Sequence, residues 1–137
     1  MTPNFSRDQV FAGVREDVAE CLGLEPEEIT LEANFFHDLG GESIDVLDLG
    51  FRSEKRFRIR SPFQRLTDRD AWRFNEDRTL SAESLQRLQS GFPHIDWQTH
   101  LSAISLQGIR DVMTINLMVD LLYFAQFDNS PRDTMVT

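Results

Sequence analysis

Ser43 is the residue of this sequence whose type and position are best suited to covalent chemistry. It follows Gly40-Gly41-Glu42, and apolar residues at helical spacing begin directly after it. A serine that heads a helix lies beside free backbone N–H groups and the positive end of the helix dipole, a setting that favours a phosphate ester. The two glycines remove side-chain bulk, which would open the hydroxyl to another protein. Taken alone, however, Gly-Gly-x-Ser is more typical of a simple helix cap.

No other set of reactive side chains indicates catalysis or metal binding. His37 is the only histidine near the serine, while His94 and His100 lie far from Cys21, so no Cys/His cluster has ligand spacing. Ser43 lacks the second glycine of a hydrolase nucleophile elbow, and no glycine-rich loop followed by lysine indicates nucleotide binding. We therefore expect no catalytic residue, no metal and no enzymatic activity, and we expect Cys21 to be buried in the core.

Helical periodicity predicts the elements that would position this serine. The first helix is expected over residues 6–22, because apolar residues recur at helical spacing between a cap at Ser6 and a stop at Gly23. Residues 24–42 are expected to form a long loop with one helical turn at Pro26. Loops of that length are uncommon and often functional.

The second helix is expected over residues 43–57 and carries two apolar stripes. They are Val46, Leu49 and Phe57, with Ser53 interrupting them, and Ile44, Leu47 and Phe51. A helix with two such stripes either has two protein neighbours or shows one stripe to a partner.

Helical segments are also expected in the second half of the chain. Residues 58–79 are rich in arginine and have no dependable periodicity, whereas 81–90 predict a short helix. Residues 92–112 are mixed, with one or two helical turns, and 114–127 predict the last helix. The expected fold is all-α, a short helical bundle with an elaborated connection before its last helix.

Charge is distributed unevenly along the chain, whose net charge is −9. Residues 1–51 hold 2 Arg and 12 Asp/Glu, whereas 52–78 hold 9 Lys/Arg and 5 Asp/Glu. The acidic part argues against nucleic-acid binding and suits basic partners. The basic stretch would pair with the acidic part of the same chain or face an acidic partner. Without an apolar run of membrane-spanning length or a signal-peptide pattern, we expect a cytoplasmic protein.

Residues 38–45, Asp-Leu-Gly-Gly-Glu-Ser-Ile-Asp, resemble the attachment motif of acyl carrier proteins, usually Asp-Leu-Gly-x-Asp-Ser-Leu and an acidic residue. The order of helices agrees, and the resemblance covers roughly residues 6–62 and 109–126. It implies that Ser43 accepts 4′-phosphopantetheine from coenzyme A through a separate phosphopantetheinyl transferase. The arm's thiol would then hold acyl groups as thioesters. The other residues of the implied attachment motif are Asp38, Leu39, Gly40, Gly41 and Glu42.

The resemblance also implies which partners bind and where. Acyl-transferring or synthase enzymes with basic surfaces would dock on the second helix, in fatty-acid, lipid or polyketide-type biosynthesis, and cargo would lie in an apolar groove beside that helix. We expect the protein to be a monomer. The partner-facing residues are expected to be Ile44, Asp45, Leu47, Asp48, Phe51 and Glu54.

The main departure from the family is length. About fifty residues separate the second helix from the last, where the family has a short segment with one small helix. Because 109–112 resembles that small helix, we interpret 63–108 as an insertion within a single domain, 1–137. Its many apolar residues predict folded structure. Gly50 and Ser53 stand at core positions of the second helix, so the insertion is interpreted as packing over that space, or alternatively as a docking or cargo-shielding element.

Two other functions fit the same residues. Glu42 replaces the usual aspartate, and Gly41-Glu42-Ser43 also resembles the Gly-Gly-x-Ser of peptidyl carrier domains, so a peptidyl or aryl carrier is one alternative. The other is a degenerate carrier fold that acts only as a protein–protein adaptor, with Ser43 as a plain helix cap. The adaptor hypothesis predicts that partner binding survives Ser43→Ala.

Overall fold

The structure is a computed structural model that describes residues 4–66, 73–77, 79–101 and 109–127. In these ranges the chain is helical, and the only extended pairings are two isolated bridges. The expected all-α fold is therefore confirmed. The helices are α1 (Arg7–Leu22), α2 (Ser43–Phe57), α3 (Phe63–Leu66), α4 (Ala82–Gly91), α5 (Trp97–His100) and α6 (Ile115–Ala125), with a first 3-10 helix (Pro26–Glu28) and a second 3-10 helix (Ile109–Asp111).

Local capping chemistry sets the ends of α1, as predicted. The Gln9 N–H donates to Ser6 Oγ at 3.1 Å, and the Ser6 N–H donates to Gln9 Oε1 at 2.8 Å. This reciprocal pair satisfies amide groups that have no partner within the helix. The helix ends at Gly23, whose φ of 69° lies in the left-handed region that glycine adopts without a steric penalty.

The bundle is centred on α1, which packs against both α2 and α6. Gly13 marks the close approach of α1 to α2. A Cβ at this position would lie 2.6 Å from Arg56 Cδ and 2.7 Å from Phe57 Cζ. Because any side chain would collide with α2, glycine permits this spacing. The last helix, α6, is buried along most of its length and begins at the predicted cap, where the Leu117 N–H donates to Thr114 Oγ1.

Part of the expected insertion packs onto this same core. Leu88, Ile95 and Trp97 are buried and belong to one apolar cluster with α1, α2 and α6. The four-residue helix α3 was not predicted, and it contributes the buried side chains of Phe63 and Leu66. Residues 67–72, 78 and 102–108 of the expected insertion, and the tail from 128, lie outside the described residues.

The chain just after α2 covers Gly50. A Cβ at Gly50 would lie 2.9 Å from Ser61 Oγ and 3.7 Å from Phe63 Cδ2. The space left by the missing side chain is therefore filled from the neighbouring segment. Ser53, one turn further along α2, is fully buried.

Arginines of α2 pair with the acidic face of α1. Arg52 Nη1 lies 3.0 Å from Glu20 Oε1, and Arg56 Nη2 lies 2.9 Å from Asp17 Oδ1. The predicted pairing of the basic stretch with the acidic part of the chain is therefore confirmed at these two residues. Of the helices described, none has the length and hydrophobicity that crossing a membrane requires.

Candidate functional site

Ser43 is the first residue of α2, and its side chain is exposed. The preceding residue, Glu42, caps the helix. Its N–H donates to Asp45 Oδ2 at 2.8 Å, and its carbonyl accepts from the Asp45 and Val46 amides. The amides of Ser43 and Ile44 stand at helix positions with no carbonyl in a preceding turn. The hydroxyl therefore lies at a helix end that favours an anion.

The two glycines before the serine have different structural roles. Gly40 has a φ of 77°, so it makes a left-handed turn that favours glycine. Among the described residues beyond its chain neighbours, no atom lies within 4 Å of the place its Cβ would take. Gly41 is buried, and its missing side chain leaves room for the ring of Phe35. The expectation that both glycines clear the approach to Ser43 is wrong for Gly41, because a side chain there would point into the core.

Asp38 and Leu39 shape the loop that leads to Ser43. The Asn34 N–H donates to Asp38 Oδ2 at 2.7 Å, and the Asp38 and Leu39 amides donate back to the Asn34 carbonyl at 3.0 and 3.1 Å. Leu39 is half-buried against the core. Hydrogen bonds and packing within the loop thus involve both of these motif residues.

Asn34 joins the loop to the second 3-10 helix. Its side chain accepts from the Phe36 and His37 amides, both at 2.9 Å, and donates to the carbonyls of Arg110 at 2.8 Å and Asp111 at 3.4 Å. His37 Nε2 and Asp111 Oδ1, which are 2.8 Å apart, make a second link. The buried asparagine therefore positions the backbone of residues that are distant in sequence.

This link brings Arg110 to the serine. Arg110 Nη2 lies 3.4 Å from Ser43 Oγ, although the two residues are 67 positions apart. The guanidinium also lies over the ring of Phe36, with 4.6 Å between Arg110 Cζ and the ring centroid. Sequence reasoning placed the small helix that contains Arg110 but did not assign this residue to the site. The only sequence signal was a basic residue within that family-like helix.

Ser43 and Arg110 both line a groove of about 530 Å³. Leu47 and Phe51 of α2 contribute apolar surface to it, as does Phe63 of α3. An apolar groove that includes the hydroxyl on its wall can hold a hydrophobic chain tethered to that residue.

One apolar stripe of α2 is exposed on the surface and consists of Ile44, Leu47 and Phe51. Their exposed fractions are 72%, 45% and 53%, whereas the other stripe, Val46, Leu49 and Phe57, is buried. The prediction that α2 carries two apolar stripes is therefore confirmed, and one stripe is buried while the other is exposed. Exposed large apolar residues on one helix face are typical of an interaction surface.

The acidic residues expected beside this stripe all make hydrogen bonds within the chain. Asp45 accepts from the Glu42 amide, Asp48 accepts from Arg52 at 3.0 Å, and Glu54 accepts from the Ser61 amide at 2.9 Å. The hydrogen bond from Arg52 also holds the pKa of Asp48 below its usual value. These three acidic side chains therefore lie on α2 in positions that are constrained by their hydrogen bonds.

Fold and site together define a small helical domain that presents a serine hydroxyl at a helix start, as phosphopantetheine carriers do. A family model described as "Phosphopantetheine attachment site" matches residues 12–72. The acyl carrier protein of Exiguobacterium sibiricum is 41% identical over 54 residues, which cover 39% of this chain and 68% of that protein. The acyl carrier protein of Wolinella succinogenes is 40% identical over 53 residues, covering 39% and 70%.

The chain belongs to the acyl carrier protein family. Members of this family are carriers rather than catalysts, and they hold a covalently attached 4′-phosphopantetheine group. No solved structure gives a significant match to the chain.

Proposed function

We propose that Ser43 is the attachment point of 4′-phosphopantetheine and that the protein carries acyl groups on this arm. The observation that carries the proposal is the exposed Ser43 hydroxyl at the start of α2, within the part of the chain that the family model matches. When bound, the arm supplies a terminal thiol that holds acyl groups as thioesters. In the loading reaction the Ser43 oxygen gains the bond to phosphorus, the pyrophosphate bond of coenzyme A breaks, and adenosine 3′,5′-bisphosphate leaves.

The side chain that the structure places against Ser43 Oγ fits a phosphodiester and is not a catalytic base. Within the described ranges, the side chain hydrogen-bonded to Ser43 Oγ is Arg110, and an arginine does not accept a proton. His37, the nearest histidine in sequence, is paired with Asp111. The proton of the serine would therefore pass to a group on the transferase. This arrangement fits loading of Ser43 by a separate enzyme better than it fits a serine hydrolase.

We propose the exposed stripe of α2 as the docking surface for partner enzymes. Leu47 and Phe51 supply apolar contact area, and Asp45 and Asp48 supply negative charge for acyl-transferring or synthase enzymes with basic surfaces. Arg52 lies on the same helix but is paired with Asp48 and Glu20, so part of its charge is balanced within the chain. Fatty-acid, lipid or polyketide-type biosynthesis is the proposed setting, and the named relatives are acyl carrier proteins.

We also propose that the chain is a single domain in which 63–108 is a folded insertion. The buried Leu88 and Trp97 share the apolar cluster of α1 and α6, which supports a common core. The groove walled partly by Phe63 is the proposed resting place of the acyl chain. On this proposal the insertion begins with a residue that lines the cargo site.

The test of the proposed function is intact mass after incubation with coenzyme A and a broad-specificity phosphopantetheinyl transferase. Addition of one phosphopantetheine to the parent and none to Ser43→Ala is the expected result. Ser81→Ala is the matched control, because Ser81 also caps a helix but should leave loading unchanged. No addition with several transferases, on protein shown to be folded, would favour the adaptor hypothesis. Identifying the adenylating or acylating enzyme that then charges the loaded protein distinguishes an acyl carrier from a peptidyl or aryl carrier.

A further inference from the structure

We infer that Arg110 is a binding residue for the phosphodiester of the arm, holding it between its guanidinium and the first-turn amides of α2. The inference rests on the proposed attachment of the arm at Ser43. Arg110 lies outside the attachment motif, 67 positions after Ser43 in the sequence, and would bind the arm together with the motif residues.

The distance and charge of Arg110 suit a phosphate at Ser43 better than the free hydroxyl. At 3.4 Å, the contact of Arg110 Nη2 with Ser43 Oγ is long for a hydrogen bond to a neutral hydroxyl. In a phosphodiester at Ser43 the charged oxygens would be bonded to the phosphorus that replaces the hydroxyl proton. A guanidinium binds such oxygens through shorter and stronger charge-assisted hydrogen bonds, and its planar fork suits phosphate geometry.

Arg110 is already held in place beside the serine. The Arg110 carbonyl accepts from Asn34 Nδ2 at 2.8 Å, and its guanidinium lies over the Phe36 ring. Stacking on the ring restricts a side chain that otherwise loses much rotamer freedom on binding. Binding of the phosphate would therefore cost little further ordering of this residue.

The local charge balance around Ser43 also calls for a positive side chain. Ser43 lies in a stretch that contains Glu42, Asp45 and Asp48, which would repel a phosphate. Arg110 brings a compensating positive charge to the hydroxyl from a distant part of the sequence. Because Ser43 and Arg110 line the same groove, a phosphate held by both would keep the start of the arm at the groove wall.

The experiment compares apo and loaded forms of the parent, Arg110→Gln, Arg110→Lys and the control Arg87→Gln. Loading of each protein is driven to completion and confirmed by intact mass. The control removes the same charge from α4, where Arg87 pairs with Glu83 outside the groove. The measurements are the ³¹P resonance of the phosphodiester, the side-chain Nε–Hε resonance of Arg110, and the change in Tm on loading at low and high salt.

For the parent and Arg87→Gln we expect the Tm gain on loading to exceed that of Arg110→Gln by about 2–5 °C at low salt, and less at high salt. Arg110→Lys should be intermediate. The Arg110 Nε–Hε resonance of the parent should shift on loading. The ³¹P resonance of Arg110→Gln should differ from that of the parent, whereas that of Arg87→Gln should not. Equal Tm changes and unshifted resonances in fully loaded proteins would overturn the inference while leaving Ser43 as the attachment site. Failure of the folded parent to load would overturn the proposed function and this inference with it.

Discussion

The ring of Phe35 occupies the space that a side chain at Gly41 would need. A Cβ at Gly41 would lie 2.3 Å from Phe35 Cε2, far inside normal contact distance. The same phenylalanine is fully buried, its N–H donates to the Met113 carbonyl, and its carbonyl accepts from the Gly41 N–H, both at 2.9 Å. The turn that leads into Ser43 is thereby built on the core of the bundle, so the position of the hydroxyl depends on packing beneath it.

Gly41→Ala should destabilise the protein by about 1–3 kcal/mol, because the added methyl group forces the buried Phe35 ring or the turn to move. Urea unfolding followed by circular dichroism measures the change. Gly91→Ala is the control, since no side chain or distant backbone of the described residues lies within 4 Å of its Cβ position. Gly91 also ends a helix, where alanine is favourable. Equal stabilities for the parent and Gly41→Ala would contradict the packing role of this glycine.

Asp120→Asn should lower the free energy of unfolding at neutral pH by about 1–3 kcal/mol. The buried Asp120 of α6 accepts from Arg7 of α1 and from His100 of α5, with 2.6 Å between His100 Nε2 and Asp120 Oδ2. Burial alone would raise the pKa of Asp120, but the hydrogen bonds from His100 and Arg7 outweigh burial and hold its pKa below the usual value. Glu32→Gln, at an exposed carboxylate, should change stability by less than about 0.5 kcal/mol.

The parent and Asp120→Asn also test the pH dependence of the Asp120 interactions. A carboxyl group whose pKa is lower in the folded state stabilises the fold above its unfolded pKa, about 3.9 for aspartate, and loses that contribution as the pH falls through the folded value. The difference between the parent and Asp120→Asn should therefore be large at pH 7 and 5 and should shrink below about pH 4. A difference that stayed constant down to pH 2 would show that the charge of Asp120 contributes nothing.

Much of the fold could be predicted because its signals are local. Ser6, Ser81 and Thr114 each precede a helix and accept from the amide three residues later, and the long helices have clear apolar periodicity. The helix α3 could not be predicted, because a single turn has almost no periodicity. Its residue Phe63 is buried in the tertiary structure, and a short local pattern does not predict such burial.

The part of the candidate site that lies on α2 could be predicted from the sequence, whereas the contribution of the distant Arg110 could not. The exposure of Ser43 and of the Leu47 stripe follows from one helix and its pattern. The approach of Arg110 to Ser43 depends on hydrogen bonds from Asn34 that connect two loops. Residue spacing in the sequence does not predict such hydrogen bonds. The role of Gly41 was also missed, since a motif records which residue is present but not which ring lies against it.

Cys21 should react with thiol reagents at pH 8 at least about 50-fold more slowly in the folded protein than in urea, because little of it is thiolate. Burial, followed by the carboxylates of Asp48 and Asp45, raises the pKa of the Cys21 thiol to about 12. Sγ lies 3.7 Å from Asp45 Oδ1, and the side chain is only partly buried, less so than the sequence predicted. The rate with a maleimide, followed by mass spectrometry, measures the effect, and Cys21→Ser corrects for background labelling. Equal rates in folded and unfolded protein would contradict the shielded thiol.

Ser53→Ala should stabilise the protein by about 1–2 kcal/mol. Ser53 is fully buried in α2, and among the described residues its hydroxyl has no hydrogen-bond partner, so alanine removes an unsatisfied polar group and favours the helix. Ser84→Ala is the matched control, because the equally buried Ser84 hydroxyl accepts from the Arg73 N–H at 2.8 Å and its loss should destabilise by about 1–2 kcal/mol. Urea unfolding of both variants measures the two changes. If Ser53→Ala instead lost stability as Ser84→Ala does, the Ser53 hydroxyl would have a hydrogen-bond partner in the folded protein.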